Sequence, residues 1–291
     1  MHHNTRRAIQ RRIFTWYARY GRHDLPWRQE KDHLYGVVVA EVMLQQTNVP
    51  KVVPKYRSFL RTFPSWRALA GASQSAVMHA WRGLGYNRRA INLHQCAKAI
   101  VDYYDGVTPD DPEQLRTLPG VGPYTAHAIC AFGYNADYAA VDVNIARLLQ
   151  RWGLTGPPQA AAEMLLPAGQ SRRWHSALMD FASLVCTKRA PQCGACPLRT
   201  ICPSYPAPRD DVRRVAKREP GRMECGKHVP RRIYRGRIVE ALRKQPLYTE
   251  EIGKVIKRDW SVVRDRMWLE EILETLQKES IVHLSQNRWH V

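Results

Sequence analysis

Hydrophobic residues recur at intervals of three and four through most of residues 1–200. The stretch AVMHAWRGLGYNRRAINLHQCAKAIVDYY shows this pattern, in which the apolar positions fall on one face of a helix. Alternation with a period of two, which is typical of half-buried strands, is almost absent there, and Gly and Pro clusters divide the pattern into short segments. The pattern therefore predicts a compact helical domain of about eight to twelve short helices.

The pattern changes after Cys202. The stretch PSYPAPRDDVRRVAKREPGRMECGKHVP is rich in proline and charge and poor in large apolar side chains, which predicts a linker. Helical spacing returns from Arg231 in three segments, and IVHLSQNRWHV predicts two short strands around a turn that contains Asn287. Three helices followed by a hairpin predict a small winged-helix-like module. The predicted organisation is a helical domain over 1–205, a linker over 206–228 and the C-terminal module over 229–291.

Composition narrows the class of partner. The chain has 291 residues, 44% of them hydrophobic, and a formal net charge of +19. A positive excess this large favours a polyanion such as DNA, RNA or an anionic membrane surface over a basic surface that is merely solvated. No apolar run reaches membrane-spanning length, since YGVVVAEVML is interrupted by Glu41, and the basic N-terminus has no apolar signal core behind it. We therefore expect a cytoplasmic, nucleoid-associated protein whose thiols stay reduced.

A bare turn precedes one of the helical segments. LPGVGPYTAHAI, residues 118–129, places Gly120 and Gly122 ahead of a run of small and apolar residues. Glycines allow a tight turn and bring backbone N–H groups close to a ligand, and the positive end of the following helix suits a phosphate. Glycine pairs often do no more than terminate a helix. An amphipathic helix before the turn and a second helix after it favour the phosphate-binding interpretation.

Two carboxylates stand out by their surroundings. Asp142 lies twenty residues beyond Gly122, at the start of the apolar helical segment in AAVDVNIARLL. On local grounds it is an N-cap, a role that does not exclude chemistry. Glu41 lies between VVVA and VML, where desolvation keeps a carboxylic acid protonated near neutral pH. The alternative for Glu41 is a salt-bridged residue on a helix surface.

Four of the seven cysteines fall within one short segment, CTKRAPQCGACPLRTIC. They are Cys186, Cys193, Cys196 and Cys202, separated by six, two and five residues. Four thiolates this close in a reducing compartment predict a metal centre. Zinc is the competing occupant, although structural zinc sites more often pair two short knuckles across a longer loop.

The hairpin and the carboxylate beyond it resemble the helix-hairpin-helix superfamily of DNA glycosylases. Four further motifs resemble MutY, the adenine glycosylase branch: LPWR, EVMLQQTNVPKVVPKYRSFLRTFPS, GLGYNRRAINLH and VDVNIARLL. The cysteine spacing is similar to the [4Fe-4S] loop that follows the catalytic domain of endonuclease III and MutY. The resemblance covers about residues 10–205. It implies a mainly α fold, with a two-lobed glycosylase domain, a [4Fe-4S] loop at 186–202 and, here, the winged-helix-like module after it.

The resemblance also implies an activity. A monofunctional DNA N-glycosylase of base excision repair flips a mispaired base out of the duplex and hydrolyses its bond to deoxyribose. Adenine opposite guanine or 8-oxoguanine is the substrate that the MutY motifs imply. Glu41 would protonate the departing purine, and Asp142 would stabilise an oxocarbenium-like transition state. The expected partner is double-stranded DNA with a mismatched or damaged pair, bound by a monomer without a membrane.

Further roles follow from the same resemblance. Tyr124 stands where endonuclease III carries a Schiff-base lysine, and a phenol forms no imine, so little strand nicking is expected. Tyr124 and Asn144 are expected to position Asp142. Gln46 and Tyr86 match the residues that probe the duplex. The DNA contacts that the resemblance implies are the hairpin glycines Gly120 and Gly122 together with Arg28, Leu44, Gln46, Thr47 and Tyr86.

Two departures from the MutY pattern leave alternatives open. Ser176 stands where the family usually carries Gln or Glu against the base, and residues 229–291 are too few for the Nudix-like domain that recognises 8-oxoguanine. Related enzymes with Tyr at the hairpin position remove thymine or uracil from G mispairs, and this chain could belong with them. The alternative of another class is a non-catalytic DNA-binding iron–sulfur protein, although simple DNA binding requires neither Glu41 nor Asp142.

Overall fold

The computed structural model describes residues 3–29, 34–206 and 219–291. The mainly α fold predicted from the sequence is confirmed. In chain order the first twelve α-helices are α1 (His3–Tyr20), α2 (Pro26–Gln29), α3 (Leu34–Leu44), α4 (Val49–Thr62), α5 (Trp66–Ala70), α6 (Gln74–Ala80), α7 (Arg88–Tyr104), α8 (Pro112–Arg116), α9 (Pro123–Ala128), α10 (Val143–Arg151), α11 (Pro158–Leu165) and α12 (Ser171–Leu184). A π-helical turn, Ile129–Tyr134, follows α9, and a 3-10 turn, Cys193–Ala195, lies in the cysteine segment.

The C-terminal part adds three helices and two hairpins. These elements are β1 (Gly221–Glu224), β2 (Lys227–Pro230), α13 (Arg231–Leu242), α14 (Thr249–Ile256), α15 (Val262–Lys278), β3 (His283–Ser285) and β4 (Arg288–His290). Both hairpins are antiparallel. The chain divides into two compact units, each made of two stretches: Met1–Gln46 with Val107–Val212, and Thr47–Gly106 with Arg213–Val291.

The first unit has a helical core. Helices α1 and α10 pack on α12, and aromatic side chains fill the space between α1 and α12. Phe14 meets Trp174 edge-on with ring centroids 5.5 Å apart, and Trp16 meets Phe181 in the same way at 5.2 Å. Helix α3 differs from an ordinary amphipathic helix, because eight of its eleven residues are buried. A helix that is apolar on nearly all sides lies inside the fold, and this fixes the surroundings of its one carboxylate.

The second unit contains the hairpin predicted around Asn287. Strands β3 and β4 join through Gln286 and Asn287, whose φ angles of 48° and 64° are those of a tight two-residue hairpin turn. The first hairpin was not predicted, since β1 and part of β2 lie at the end of the segment read as a linker. Its charged Glu224 is buried and paired with Arg237 at 2.7 Å, so high charge there does not mean an unfolded chain.

Residues 207–218, the rest of the predicted linker, lie outside the described residues. The predicted domain boundaries and the winged-helix-like assignment stay predictions. No helix in the described ranges combines the length and the hydropathy that a membrane span requires.

Candidate active site

Glu41 lies in α3 and faces the hairpin helix α9. Its Oε2 accepts a hydrogen bond from the Tyr124 hydroxyl at 3.4 Å. Burial raises the pKa of Glu41, the hydrogen bond from Tyr124 lowers it, the charge of Asp142 raises it and the charge of Arg28 lowers it. Together these effects place the pKa of Glu41 at about 7. A substantial fraction of Glu41 therefore carries a proton at neutral pH. That is the state in which a carboxyl can act as a general acid.

Asp142 caps the N-terminus of α10. Its Oδ1 accepts the backbone N–H groups of Asn144 at 2.9 Å and Ile145 at 2.7 Å, and its Oδ2 accepts the Asn144 side-chain amide at 2.6 Å. Three donors thus fix the orientation of the carboxylate. Its charge also raises the pKa of Tyr124, after burial and the charge of Glu41. The structure therefore brings Glu41, Tyr124, Asp142 and Asn144 into one site.

A row of hydrogen bonds leads from this site to the cysteine segment. The Asn144 side-chain oxygen accepts from Arg147 Nη1 at 2.9 Å, and Arg147 Nη2 donates to the carbonyl oxygens of Ala182 and Cys186 at 3.0 and 3.2 Å. Residues three apart on a helix share a face, so Asn144 and Arg147 of α10 can meet directly. The Asn144 amide that donates to Asp142 is therefore linked, through Arg147, to the backbone carbonyl of Cys186.

The helical hairpin consists of α8, a turn and α9. Gly120 has φ +82°, a left-handed conformation that favours glycine, but Gly122 has φ −92° and is an ordinary N-cap. Of the two glycines, only Gly120 therefore has a backbone conformation that favours glycine. A Cβ at that position would meet nothing within 4 Å, so what Gly122 provides is open space beside the start of α9.

Asp180 was not singled out from the sequence, yet it organises this side of the site. It is fully buried in α12 and bound by Arg28 at 2.8 Å and Arg22 at 2.6 Å. Burial raises the pKa of Asp180, but the two arginines outweigh burial and hold it below its usual value. Arg28 also lies 3.4 Å from the backbone carbonyl of Ser176, whose side chain is buried in α12. The only local signal for Asp180 is a carboxylate amid the apolar residues of ALMDFA.

Gln46 and Tyr86 share an uncommon backbone. Their φ angles are 56° and 45°, in the left-handed region that residues other than glycine rarely adopt and that accumulates at functional sites. In the second unit Arg89 stacks on the Tyr86 ring at 5.6 Å and donates to Thr47 Oγ1 at 3.0 Å. The structure thus brings Thr47 and Tyr86 to the same arginine. Leu44 and Gln46 belong to the first unit, where Leu44 ends α3.

The four cysteines of the C-terminal segment line one cavity, and all four thiols are free of disulfides. Arg151 Nη1 donates to Cys186 Sγ at 3.2 Å and the Leu198 backbone N–H to Cys196 Sγ at 3.4 Å, contacts that stabilise an anionic sulfur. In the part of the chain that the structure describes, no group of three or more His, Cys, Asp or Glu residues is arranged to hold a metal ion. The number of these thiols and the cavity they share make them the candidates for a metal centre.

Two short helices joined by a glycine turn, with a helix-capping carboxylate twenty residues beyond it, define a helix-hairpin-helix protein. Residues 39–166 match the family described as "HhH-GPD superfamily base excision DNA repair protein", and this part of the chain belongs to that superfamily.

Relatives and solved structures agree with this family. The chain is 40% identical over 194 residues to the adenine DNA glycosylase of Mycolicibacterium smegmatis, a match that covers 64% of this chain and 66% of that protein. It is 41% identical over 196 residues to the adenine DNA glycosylase of Mycobacterium tuberculosis, covering 64% of each. The structure of a thermostable thymine-DNA glycosylase superposes with a TM-score of 0.65 at 27% identity, covering 69% of this chain and 97% of that one. The chain thus spans about two thirds or less of the length of these curated relatives.

Proposed function

We propose that the protein is a monofunctional DNA glycosylase of base excision repair that removes adenine from pairs with guanine or 8-oxoguanine. The observation that carries this proposal is the placement of a proton-bearing Glu41 beside Tyr124 and an Asp142 fixed by three donors. Relatives named adenine DNA glycosylases support adenine as the substrate. The net charge of +19 supports DNA as the partner.

The two carboxyls have complementary tasks. A purine is a poor leaving group as an anion, so Glu41 donates its proton to the base as the glycosidic bond breaks. Positive charge develops on the sugar, and the Asp142 carboxylate stabilises that charge. Because Asp142 is oriented before the substrate arrives, little reorganisation is needed during the reaction. Water then attacks the sugar and leaves an abasic site.

Tyr124 makes the reaction monofunctional. Burial, together with the charges of Glu41 and Asp142, raises the pKa of Tyr124 well above its ordinary value, so the side chain stays a neutral phenol. It can donate a hydrogen bond to Glu41, but it has no amine with which to form a Schiff base. Strand cleavage by the protein itself is therefore expected to be slight.

The proposed DNA contacts include residues from each unit, taken separately. The hairpin with Gly120 and Gly122 would hold a phosphate, and Ser176 would lie at the base pocket. The proposed DNA contacts outside the hairpin are Arg28, Leu44, Gln46, Thr47 and Tyr86. For Arg28 the contact would be made by a guanidinium already anchored on Asp180, which limits its motion.

Cys186, Cys193, Cys196 and Cys202 would hold a [4Fe-4S] cluster, which would tie the loop to α10 and α12 or tune DNA affinity with its redox state. We expect iron and sulfide in equal amounts in protein purified without oxygen, with visible absorbance that disappears in Cys193→Ser. Zinc in place of iron would contradict this assignment.

The function is tested by incubating the protein with duplexes that hold a single A·8-oxoG, A·G, T·G or U·G pair, with and without alkali afterwards. We expect alkali-dependent breaks at the adenine of the first two duplexes and few breaks without alkali. Breaks in the T·G and U·G duplexes alone would make the protein a thymine or uracil glycosylase. No break in any duplex would favour a non-catalytic DNA-binding protein.

A further inference from the structure

The turn that carries Tyr86 has a left-handed backbone at several positions. It joins α6 to α7 in the second unit, and three of its residues, Gly83, Gly85 and Tyr86, have φ angles of 89°, 73° and 45°. Tyr86 has a side chain that is 54% exposed and no glycine-like freedom. A residue held in this region costs free energy and persists only where its surroundings impose the conformation.

One set of contacts holds the turn from within its own helices. Trp81 Nε1 donates to the Gly85 carbonyl at 3.1 Å, and Arg89 Nη2 donates to the same carbonyl at 3.2 Å. Trp81 and Arg89 both lie next to the turn in the chain. Their hydrogen bonds to the Gly85 carbonyl therefore form whenever this stretch folds.

A second set comes from the predicted C-terminal module, residues 229–291. Arg82, at the start of the turn, donates to Glu240 Oε2 of α13 at 3.0 Å. Asn87, at its end, accepts from Arg243 Nη2 at 3.3 Å, and Arg243 also pairs with Glu240. The last turn of α13 and its C-cap residue thus contact both ends of the Tyr86 turn.

The burial of Arg243 makes this contact specific. Its side chain is only 4% exposed, and burial lowers its pKa. A buried guanidinium needs fixed partners, and the partners here are Glu240 and the side chain of Asn87. The module is also attached elsewhere, because Gln74 Nε2 donates to the Ser280 carbonyl at 2.8 Å. Loss of the Arg243 contact alone should therefore leave the module in place.

We propose that the C-terminal module holds the Tyr86 turn in the conformation that probes duplex DNA, with Arg243 as the positioning residue. The inference rests on the proposed function, in which Tyr86 contacts DNA. It gives the module an intramolecular role: discrimination between mispaired and paired duplex depends on a segment that itself need not touch the lesion.

The first test measures the turn itself. In the full-length protein, Arg243→Met should speed amide hydrogen exchange in a peptide spanning residues 82–89 by about tenfold, the effect expected from one lost charge-assisted hydrogen bond. Arg235→Met is the matched control, because Arg235 lies in α13, the helix that Arg243 caps, and pairs with Glu279 instead. Unchanged exchange in Arg243→Met, or an equal increase in the control, would overturn the inference.

The second test measures discrimination. The quantity measured is the ratio of two affinities: that for a duplex with an uncleavable adenosine analogue opposite 8-oxoG, divided by that for a fully paired duplex. This ratio should fall about tenfold in Arg243→Met, while the affinity for the paired duplex changes less than about twofold. Arg235→Met should keep the wild-type ratio. A wild-type ratio in Arg243→Met would overturn the inference.

Asn87 provides an independent route if Arg243→Met fails to fold. Asn87→Ala should reproduce both the faster hydrogen exchange and the loss of discrimination. Asn87→Asp keeps the acceptor oxygen and should behave like the wild type. The double variant with Asn87→Ala and Arg243→Met should show no larger effects than Arg243→Met alone. Additive losses would mean that the two side chains do not act together. If the wild type shows no preference for the A·8-oxoG duplex, the proposed function fails, and hydrogen exchange still decides whether the module holds the turn.

Discussion

The hydrogen bond between Tyr124 and Glu41 links a neutral phenol to the proposed general acid. The bond favours the ionised carboxylate and so lowers the pKa of Glu41, whereas burial raises it, and the resulting pKa is about 7. Tyr124→Phe removes this donor, and the pKa of Glu41 should rise. Because the protonated form is the proposed active form, the alkaline limb of the excision rate should move to higher pH in the variant. Single-turnover rates measured across neutral pH test this, and an unmoved limb or one at lower pH would contradict it.

At the scale of single residues, the sequence identifies carboxylates whose neighbours are unusual. Glu41 and Asp142 stand out because one interrupts an apolar helix and the other begins one. Asp180 also lies among apolar residues, but its role depends on Arg22 and Arg28, which are more than 150 positions away in the chain. No local pattern contains that information, so only the folded chain reveals the cluster.

At the scale of elements, the segment before α10 is held by side chains of its neighbours. Ala139 and Ala140 are buried and outside regular structure, so their peptide groups need partners. His127 of α9 and Gln159 of α11 both donate to the Ala139 carbonyl at 3.0 Å. His175 of α12 accepts the Ala140 N–H at 2.9 Å. These contacts fix the path of the chain into the carboxylate that caps α10.

His175 can accept only as a neutral ring, since its Nδ1 lies 2.8 Å from the Ser171 carbonyl and must carry the proton. Burial lowers the pKa of His175 from 6.5 to about 4. A depressed pKa in the folded state gives stability that is present above the unfolded value of 6.5 and is lost as pH falls towards 4.

We therefore expect His175→Gln, which keeps a donor and an acceptor but does not titrate, to lose less stability on acidification than the wild type. Between about pH 7 and pH 5 the difference should reach up to about 2 kcal/mol, measured by urea unfolding. The same substitution at His228, in β2, controls for the loss of a histidine. Equal acid sensitivity of the wild type and His175→Gln would rule out this role.

Hydrophobic periodicity predicts where helices form, but it does not predict local distortions of a helix where a neighbouring element packs closely against it. The residues after the hairpin predict one continuous helix, but α9 gives way to a π-helical turn at Ile129–Tyr134. There Gly133 lies against Leu34 of α3, where an added Cβ would be 2.7 Å from Leu34 Cδ2. The close approach of α3 is a tertiary feature, and helix periodicity does not encode it.

At the scale of the whole molecule, charge makes a prediction that does not depend on any one residue. With a net charge of +19, binding to duplex DNA should be dominated by phosphate contacts and counterion release. If about six phosphates are contacted, affinity for a fully paired duplex should fall about a thousandfold between roughly 50 and 200 mM salt. Fluorescence anisotropy at several salt concentrations measures the slope. A slope near zero would mean that the basic surface is not the DNA interface.

The grouping of the chain into compact units cannot be read from its linear pattern. Each unit is made of two stretches that are far apart in the sequence. The hydrogen bond from Gln74 to Ser280 joins residues 206 positions apart. Contacts this distant leave no trace in local spacing, although the helices and the hairpin that make them are predictable.

The most direct measurement of the central claim is adenine excision from a duplex with one A·8-oxoG pair by the wild type and by Asp142→Asn, read as strand breaks after alkali. Asn keeps an oxygen that can cap α10, so the fold and DNA affinity should change little. We predict alkali-dependent breaks with the wild type and a rate at least about a hundredfold lower with Asp142→Asn, because the charge opposite the developing cation is gone. Excision by the variant at the wild-type rate, or no excision by the wild type, would contradict the claim.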